Sequence, residues 1–301
     1  MMDILDKSCN GFAVSVGRRE FIKRASSLLA GAAITRDLDD FRSLIPGTDN
    51  TLPSTTPQHP NAPLTVNGLP ASRLGKTDIK VTKISFGGMR TSEPNILLHA
   101  LDQGINFIHT SPGYQNGASL VSYGKVLKKH RDRVFVAIKE QPELLNRILP
   151  ILNTDYVDIV MPSIQNISAL RDNRLLDNFQ QAKQAGKCRY LGFACHSNMT
   201  RVLEKAASMG VFDVVMISYM NTDDPWFFRS LRLASEAGMG IIAMKGLPPS
   251  RINSLKGDNY ELVNYLCNAM LNRWYADSVM ASMDGYQSVD AFLRILNGRI
   301  S

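Results

Sequence analysis

Short apolar runs alternate with longer amphipathic segments over most of the chain after residue 70. Each run is rich in β-branched residues and bounded by turn-forming residues, which is typical of a parallel strand buried on both faces. The predicted strands are Ile79–Phe86, Asn106–His109, Val134–Ile138, Val157–Met161, Arg189–Ala194, Val214–Ser218, Gly240–Met244 and Ser278–Ala281. The predicted helices are Pro94–Gln103, Ser119–His130, Glu143–Leu152, Arg174–Ala185, Met199–Ser208, Pro225–Ala237, Asn259–Asn272 and Val289–Leu296.

Eight strand–helix repeats between residues 71 and 301 match the length of a (β/α)8 barrel, the TIM barrel of the α/β class. The alternative is an open, doubly wound sheet, but no Gly-x-Gly-x-x-Gly motif follows the first predicted strand. The barrel is therefore the favoured fold. Because the chemistry of such barrels lies at the carboxyl ends of the strands, the residues just after each strand are the candidates for function.

The first 34 residues have a different pattern, which is typical of an export signal. The basic segment Gly17–Lys23 contains Arg18 and Arg19, and a weakly apolar stretch rich in Ala and Gly follows it. An arginine pair followed by x-Phe-Ile-Lys resembles the twin-arginine consensus. The alternative is an ordinary amphipathic helix start. We expect residues 1–34 to direct the chain to the Tat export machinery and the periplasm, with a membrane tether if the signal is not cleaved.

The composition of residues 35–70 predicts a flexible linker. The segment Leu52–Pro63 is rich in Pro, Thr and Asn, so it has little apolar surface to bury and is expected to be extended or disordered. The predicted organisation is thus a signal at 1–34, a linker at 35–70 and a barrel at 71–301.

The composition narrows the classes of function. Of 301 residues, 44% are hydrophobic and 20% are charged, as in a soluble globular protein. The net charge is +7, but no run of Lys and Arg is interleaved with aromatic residues, so nucleic-acid binding is not expected. None of the cysteines, which are Cys9, Cys188, Cys195 and Cys267, forms a Cys-x-x-Cys pair. An iron–sulfur cluster or another metal site is therefore not expected.

Tyr114 and Lys139 follow two neighbouring predicted strands. A phenol normally titrates near pH 10, and a nearby ammonium favours the phenolate and lowers that pKa. A Tyr–Lys pair in the mouth of a barrel would therefore donate a proton to a carbonyl as hydride arrives. The alternatives are a loop aromatic that caps the barrel and a lysine that extends to solvent.

Two further positions at strand ends carry groups capable of chemistry. Cys195 and His196 are adjacent, and neighbouring strand residues point to opposite faces, so a packed cysteine and a loop histidine are expected rather than a nucleophile–base pair. His109 is a polar residue at the end of an apolar strand. From its position alone it is either a structural or a functional histidine.

The segments around these positions resemble those of the aldo-keto reductase family, and the bacterial branch in particular. Ser72–Val81 with Phe86–Met89 resembles the family's opening, and Ala100–Tyr114 resembles its second strand and catalytic-tyrosine loop. The segment Arg131–Lys139 resembles its lysine strand. The later strands are matched by Ala185–Ser197, Asp213–Tyr219 and Gly240–Lys245. The resemblance runs in order from Ser72 to Leu296 and implies a (β/α)8 barrel.

The resemblance implies reduction of a small carbonyl substrate with NAD(P)H. Tyr114 falls on the family's catalytic tyrosine and Lys139 on its lysine. His109 falls on the aspartate position, where it would hydrogen-bond the lysine in place of the carboxylate. Ser163 is nearest to the family's histidine, so two of the four catalytic positions are altered.

The resemblance also implies a set of cofactor-binding positions. Tyr219 matches the aromatic that stacks on nicotinamide, and Cys195 lies where a carboxamide-binding residue is usual. Asp284 lies where a cation commonly meets the 2′-phosphate of NADP, so strong selectivity for NADP is not expected. The cofactor-binding residues implied are Gly88, Met89, Cys195, Tyr219, Lys245, Ser282 and Met283.

Two functions follow from these observations. The first is an exported NAD(P)-dependent oxidoreductase that acts on a carbonyl or alcohol, and the pair of Tyr114 and Lys139 favours it. The second is an aldo-keto-reductase-like barrel that binds a ligand without turnover, and the altered tetrad favours it.

Overall fold

The computed structural model describes residues 64–219, 226–246, 258–272 and 274–298. The predicted signal at 1–34 and residues 35–63 of the predicted linker lie outside the described residues.

The described part begins with a small antiparallel sheet. Its strands are β1 (Thr65–Val66), β2 (Leu69–Arg73) and β3 (Lys80–Thr82), paired in that order. The predicted end of the linker at residue 70 is therefore wrong, because β1 and the start of β2 already pair across the turn at Asn67. The backbone N–H of Ala71 also donates to the carbonyl of Leu64.

Eight parallel strands then close into a barrel in the order of the chain, which confirms the predicted (β/α)8 fold. Closure is made by the eighth strand against the first, with Val279 opposite Ile84 and Ser282 opposite Gly87. The strands are β4 (Ile84–Gly87), β5 (Phe107–Thr110), β6 (Phe135–Ile138), β7 (Val157–Val160), β8 (Cys188–Cys195), β9 (Val214–Ser218), β10 (Gly240–Met244) and β11 (Ser278–Ser282).

The predicted strand Ile79–Phe86 is two strands in the structure, separated at Lys83. The backbone N–H of Lys83 donates to Pro70 in the small sheet, whereas its carbonyl accepts from Val279 in the barrel. Lys83 is therefore the residue at which the chain changes sheets. The local sequence carries no signal for such a change, because buried residues lie on both sides of Lys83, at Val81 and Thr82 in β3 and throughout β4.

The helices alternate with the barrel strands as predicted, with ends that differ from the predictions by a few residues. The side chain of Asp172 accepts from the N–H of Arg174 and caps the helix that begins at Asn173. The helices are α1 (Pro94–Asp102), α2 (Ala118–His130), α3 (Leu145–Leu152), α4 (Ile167–Leu170), α5 (Asn173–Gln184), α6 (Met199–Met209), α7 (Phe227–Glu236), α8 (Asp258–Asn272) and α9 (Tyr286–Asn297).

The turn between β2 and β3 closes the amino-terminal end of the barrel. The backbone N–H of Gly75 donates to the buried carboxyl of Asp277, just before β11. Gly75 has a φ of +54°, and a Cβ there would lie 2.3 Å from the backbone nitrogen of Gly240. Only glycine allows this approach. The same turn places the fully buried side chain of Leu74 at the base of the barrel core.

The barrel interior is filled by apolar side chains that point inward from alternate strand positions. They include Phe107, Ala137, Ile159, Met161, Ala194, Val214, Met216, Ile242, Met244 and Met280. Side chains two residues further along a strand point the same way. Alternation therefore directs His109, Lys139 and His196 into the layer above this core, at the carboxyl-terminal mouth.

Candidate active site

Tyr114 and Lys139 both lie at the barrel mouth, as the sequence predicts. The Lys139 Nζ is 5.5 Å from the centroid of the Tyr114 ring, a distance typical of a cation–π contact. Ser111 ties the two positions together, because its hydroxyl donates to the Lys139 carbonyl and its own carbonyl accepts from the Tyr114 N–H. The Tyr114 loop and the end of β6 are therefore held as one unit.

The structure corrects the expected effect of Lys139 on the phenol. Burial raises the pKa of Tyr114 to about 12, and the ammonium, which lies by the ring, does not offset this. Burial also lowers the pKa of Lys139, with a further decrease from the Lys245 charge and an opposing effect from Glu140. At neutral pH Tyr114 is therefore a protonated phenol, which is the form that donates a proton.

His109 is 2% exposed and its ring packs edge-on to the Tyr114 ring, with the centroids 5.7 Å apart. Its buried Nε2 has no hydrogen-bond partner among the described residues. The hydrogen bond to Lys139 that the resemblance implies is therefore not made through Nε2. Burial, together with the smaller effects of the Lys139 and His196 charges, lowers the pKa of His109 to about 3. His109 is a neutral imidazole at this position and supplies no negative charge.

His196 belongs to the mouth, although the sequence analysis assigned the adjacent Cys195 to the cofactor instead. The Cys195 thiol is fully buried and donates to the carbonyl of Ser197, and burial raises the pKa of the thiol to about 11. Burial together with the charges of Lys245 and Lys139 lowers the pKa of His196 to about 4. The His196 Nδ1 is buried without a partner among the described residues.

Gln165 fixes the segment that carries His196. Its Oε1 accepts from the backbone N–H of His196 and from both the N–H and the hydroxyl of Ser197, each at 2.9 Å. Its Nε2 donates to the hydroxyl of Ser163 at 2.9 Å. Ser163, the residue nearest the family's histidine, is thus an exposed partner of Gln165. No sequence pattern identified Gln165, since its role depends on a contact between two loops.

Lys245 follows β10 with a φ of +55° and an exposed side chain. This backbone conformation is uncommon for a residue with a Cβ. The ammonium is near enough to Lys139 and His196 to lower the pKa of both groups. The structure therefore brings Lys245 together with the other basic groups of the mouth.

Tyr219 lies in an aromatic cluster beside the barrel rather than free in the mouth. Its ring is 4% exposed, contacts Phe227 edge-on and lies at 28° to the plane of Trp274. The hydroxyl donates to the Trp274 carbonyl at 2.6 Å. Stacking of a nicotinamide on Tyr219 would have to use the part of the ring that this cluster leaves uncovered.

The remaining predicted cofactor-binding residues differ in how much of their side chains is exposed. Met89 is 48% exposed at the end of β4, and Ser282 is partly exposed at the end of β11. Met283 is fully buried, so only its backbone is available. Gly88 faces α2, where a Cβ would lie 2.6 Å from the Tyr123 hydroxyl. Gly87 lies opposite His109 of β5, and a Cβ there would lie 3.2 Å from the Ala281 carbonyl oxygen of β11.

Arg90 forms an ion pair with Asp284, with 3.1 Å between the guanidinium and the carboxylate. The two residues follow the first and last barrel strands, which meet where the barrel closes. The family resemblance implies that Asp284 stands where a cation is usual and would repel a 2′-phosphate. In the structure its charge is offset by an adjacent cation.

Searches for two other kinds of site gave negative results for the described residues. No group of three or more His, Cys, Asp or Glu side chains is arranged to hold a metal ion. Within the same residues, each helix is either too short or too polar to cross a bilayer.

A mouth at the carboxyl ends of eight parallel strands, lined by Tyr114, Lys139 and two histidines, defines a barrel protein with an enzyme-type site. Residues 83–247 match the family described as the aldo/keto reductase family. The chain therefore belongs to the aldo/keto reductase family of oxidoreductases.

Solved structures share this fold. A holo-form aldo-keto reductase from Bacillus halodurans aligns with a TM-score of 0.64 at 17% identity, over 75% of this chain and 90% of that one. An aldo/keto reductase from Klebsiella pneumoniae in complex with NADP and acetate gives 0.56 at 17% identity, over 75% and 89%. An aldo-keto reductase from the same organism in complex with NADPH gives 0.58 at 17% identity, over 76% and 90%.

Proposed function

We propose that the protein reduces a small carbonyl compound with NAD(P)H as the cofactor, and that Tyr114 is the proton donor. The observation that carries the proposal is the Tyr114 phenol, whose ring centroid lies 5.5 Å from the Lys139 ammonium in the mouth of a barrel of this family. The solved Klebsiella pneumoniae relatives were crystallised with NADP or NADPH, which supports the choice of cofactor.

The residues of the mouth are compatible with a dinucleotide. The buried Nδ1 of His196 has no partner in the part of the chain that the structure describes, and a carboxamide would supply one. Arg90 and Asp284 lie at the closure of the barrel, where the guanidinium can meet a 2′-phosphate and the carboxylate can accept from a ribose hydroxyl. Because both charges are present, we expect the protein to bind NADH and NADPH with similar affinity.

Bound reduced nicotinamide supplies the hydride for the carbonyl carbon. Tyr114 then gives its proton to the carbonyl oxygen, since an alkoxide is a stronger base than a phenolate. Lys139 stabilises the phenolate that remains, because an ammonium near a phenol favours its ionised form. His109 packs edge-on against the phenol ring and helps to hold its orientation.

The test is reduction of a panel of aldehydes by the wild type and by Tyr114→Phe. Loss of a general acid costs about 100-fold or more in rate, so the variant should lose at least that factor in kcat while it folds normally. Exposed Tyr286 lies on α9, and Tyr286→Phe is the matched control. Equal rates for the wild type and Tyr114→Phe would contradict the proposal.

A ligand-binding barrel without turnover is the second candidate. It is favoured by His109, which supplies no carboxylate to Lys139 and makes no hydrogen bond through Nε2. Denaturation of protein purified from its native compartment would distinguish the two candidates. Release of nicotinamide together with Tyr114-dependent turnover supports the enzyme, whereas a bound ligand without turnover supports the binding protein.

We also propose that the chain is exported to the periplasm by the twin-arginine pathway. The pair of Arg18 and Arg19, followed by Phe21 and Lys23, supports this proposal. Replacement of both arginines by lysine should retain the protein in the cytoplasm in a fractionation experiment. Unchanged export of that variant would refute the proposal.

A further inference from the structure

We propose that Lys139 and Lys245 together bind a carboxylate of the substrate, so that the protein prefers carbonyl compounds that carry a carboxylate. This inference rests on the proposed function for the reaction and adds the class of substrate. It depends on four basic groups that converge at the mouth, namely His109, Lys139, His196 and Lys245.

Neither ammonium is paired within the part of the chain that the structure describes. No carboxylate oxygen there lies within 4.0 Å of Lys139 or Lys245, whereas nearby arginines such as Arg90 do have such partners. Glu140 is adjacent to Lys139, but its carboxylate accepts from the N–H of Gln141. Among the described residues, the two ammonium groups of the mouth therefore lack an ion-pair partner, and Glu140 acts on Lys139 through its charge alone.

The two histidines leave buried nitrogens that also need a partner. The His109 Nε2 and the His196 Nδ1 are both buried without a hydrogen bond among the described residues. His109 is 2% exposed, so water does not readily reach it. A buried polar atom without a partner destabilises a structure, and a ligand atom at this position would relieve that cost.

Two sources of anion have to be distinguished, which are the phosphates of the cofactor and a carboxylate of the substrate. Lys139 is the residue that decides between them, because its Nζ is 5.5 Å from the ring of the proposed proton donor, Tyr114. An anion bound there is next to the carbonyl that Tyr114 would protonate. Lys245 directly follows β10, at the same carboxyl end of the barrel, and its charge acts on both Lys139 and His196.

The first experiment measures binding by calorimetry in protein saturated with NADP+, so that no turnover takes place. The probes are benzoate and benzamide, which have the same shape but differ in charge. Charge-assisted contacts are strong enough to give about tenfold tighter binding of benzoate. Lys139→Met and Lys245→Met should each weaken benzoate binding by about tenfold and leave benzamide binding unchanged.

Lys128→Met is the matched control, since Lys128 is an exposed lysine on α2, and Lys245→Arg keeps the charge. Both variants should bind benzoate as the wild type does. Because Lys245 is exposed, its variants are expected to fold even if Lys139→Met does not. Benzoate binding that is blocked by NADP+, or that is insensitive to both lysine substitutions, would overturn the proposal.

The second experiment compares kcat/KM for 4-carboxybenzaldehyde and for its neutral amide, 4-carbamoylbenzaldehyde. The carboxylate should be favoured by about tenfold in the wild type and not in Lys245→Met. Equal reduction of both aldehydes would overturn the preference but leave the proposed function intact. Lysine-dependent benzoate binding without any reduction would support the anion site and contradict the proposed function.

Discussion

The two ends of the barrel differ in whether their charged side chains form ion pairs. At the amino-terminal end, the buried carboxylate of Asp158 contacts Arg131 at 2.8 Å and Arg189 at 2.9 Å and accepts from the Val136 N–H. At the carboxyl-terminal mouth, Lys139 and Lys245 have no carboxylate within 4.0 Å among the described residues. The same eight strands thus carry a balanced end and an unbalanced one.

This difference indicates that the paired end contributes to stability, whereas the unpaired end is suited to binding a ligand. A crevice of about 530 Å³ lies at the balanced end, but its arginines, which are Arg131, Arg133 and Arg189, are each paired with an aspartate. A cavity whose charges are satisfied offers little to a charged ligand. The mouth, in contrast, has buried histidine nitrogens without a partner among the described residues, and a ligand can supply one.

The largest effect should come from breaking the balanced end with Asp158→Asn. The substitution keeps the size of the side chain but leaves two guanidinium groups without a buried counter-ion. Loss of one member of a buried pair costs about 3–5 kcal/mol, so the free energy of unfolding should fall by that amount in a urea titration. The matched change at the mouth, Lys245→Met, should stay within about 0.5 kcal/mol of wild type. Similar losses at both ends would remove the distinction.

The next effect concerns the acid sensitivity of the mouth. His109 and His196 have folded pKa values of about 3 and about 4, both below the value of 6.5 in an unfolded chain. At these two sites the unfolded state therefore binds more protons below pH 6.5, and their contribution to stability falls as the pH decreases towards 4. Each histidine contributes a slope of at most about 1.4 kcal/mol per pH unit.

His109→Gln removes one of these two titrating side chains. The decrease in the free energy of unfolding between pH 6 and 4 should therefore be smaller in this variant. Asp277 acts in the opposite sense, because burial raises its pKa from 3.8 to about 7 and its protonation favours the folded state in that range. The measurement is therefore the difference between wild type and variant in urea titrations at several pH values, from which the Asp277 contribution cancels. Parallel curves for the two proteins would contradict the account.

The smallest effect is a gain in stability from Lys139→Met. The ammonium is half-buried next to another cation, and methionine fills a similar volume without a charge. After allowance for screening by solvent, we expect the free energy of unfolding to rise by about 0.5–1 kcal/mol. Lys128→Met on the exposed face of α2 should change it by less than about 0.5 kcal/mol. A loss of stability in Lys139→Met would show that the ammonium is paired in solution.

Most of the barrel could be predicted from the sequence because each strand is a short buried run with polar boundaries. The strands Val214–Ser218 and Gly240–Met244 agree with the structure to the residue. Ile79–Phe86 was predicted as one strand because the change of sheet at Lys83 depends on pairing with distant segments, not on the local pattern.

The site was predictable only as far as strand ends and family resemblance could define it. Those two signals identified Tyr114, Lys139 and His109. These signals did not show which of two adjacent side chains points into the mouth. Cys195 was therefore assigned to the site in place of His196. Gln165 was missed, because it acts through hydrogen bonds between two loops that are 31 residues apart in the chain.

The most direct test of the account is hydrogen exchange with and without saturating NADPH. We predict slower exchange in the segments around the mouth, which are 111–117, 196–198 and 245–246, and no change in the small sheet at 65–82. Slower exchange at the small sheet and the crevice beside Arg131, with none at the mouth, would contradict the account.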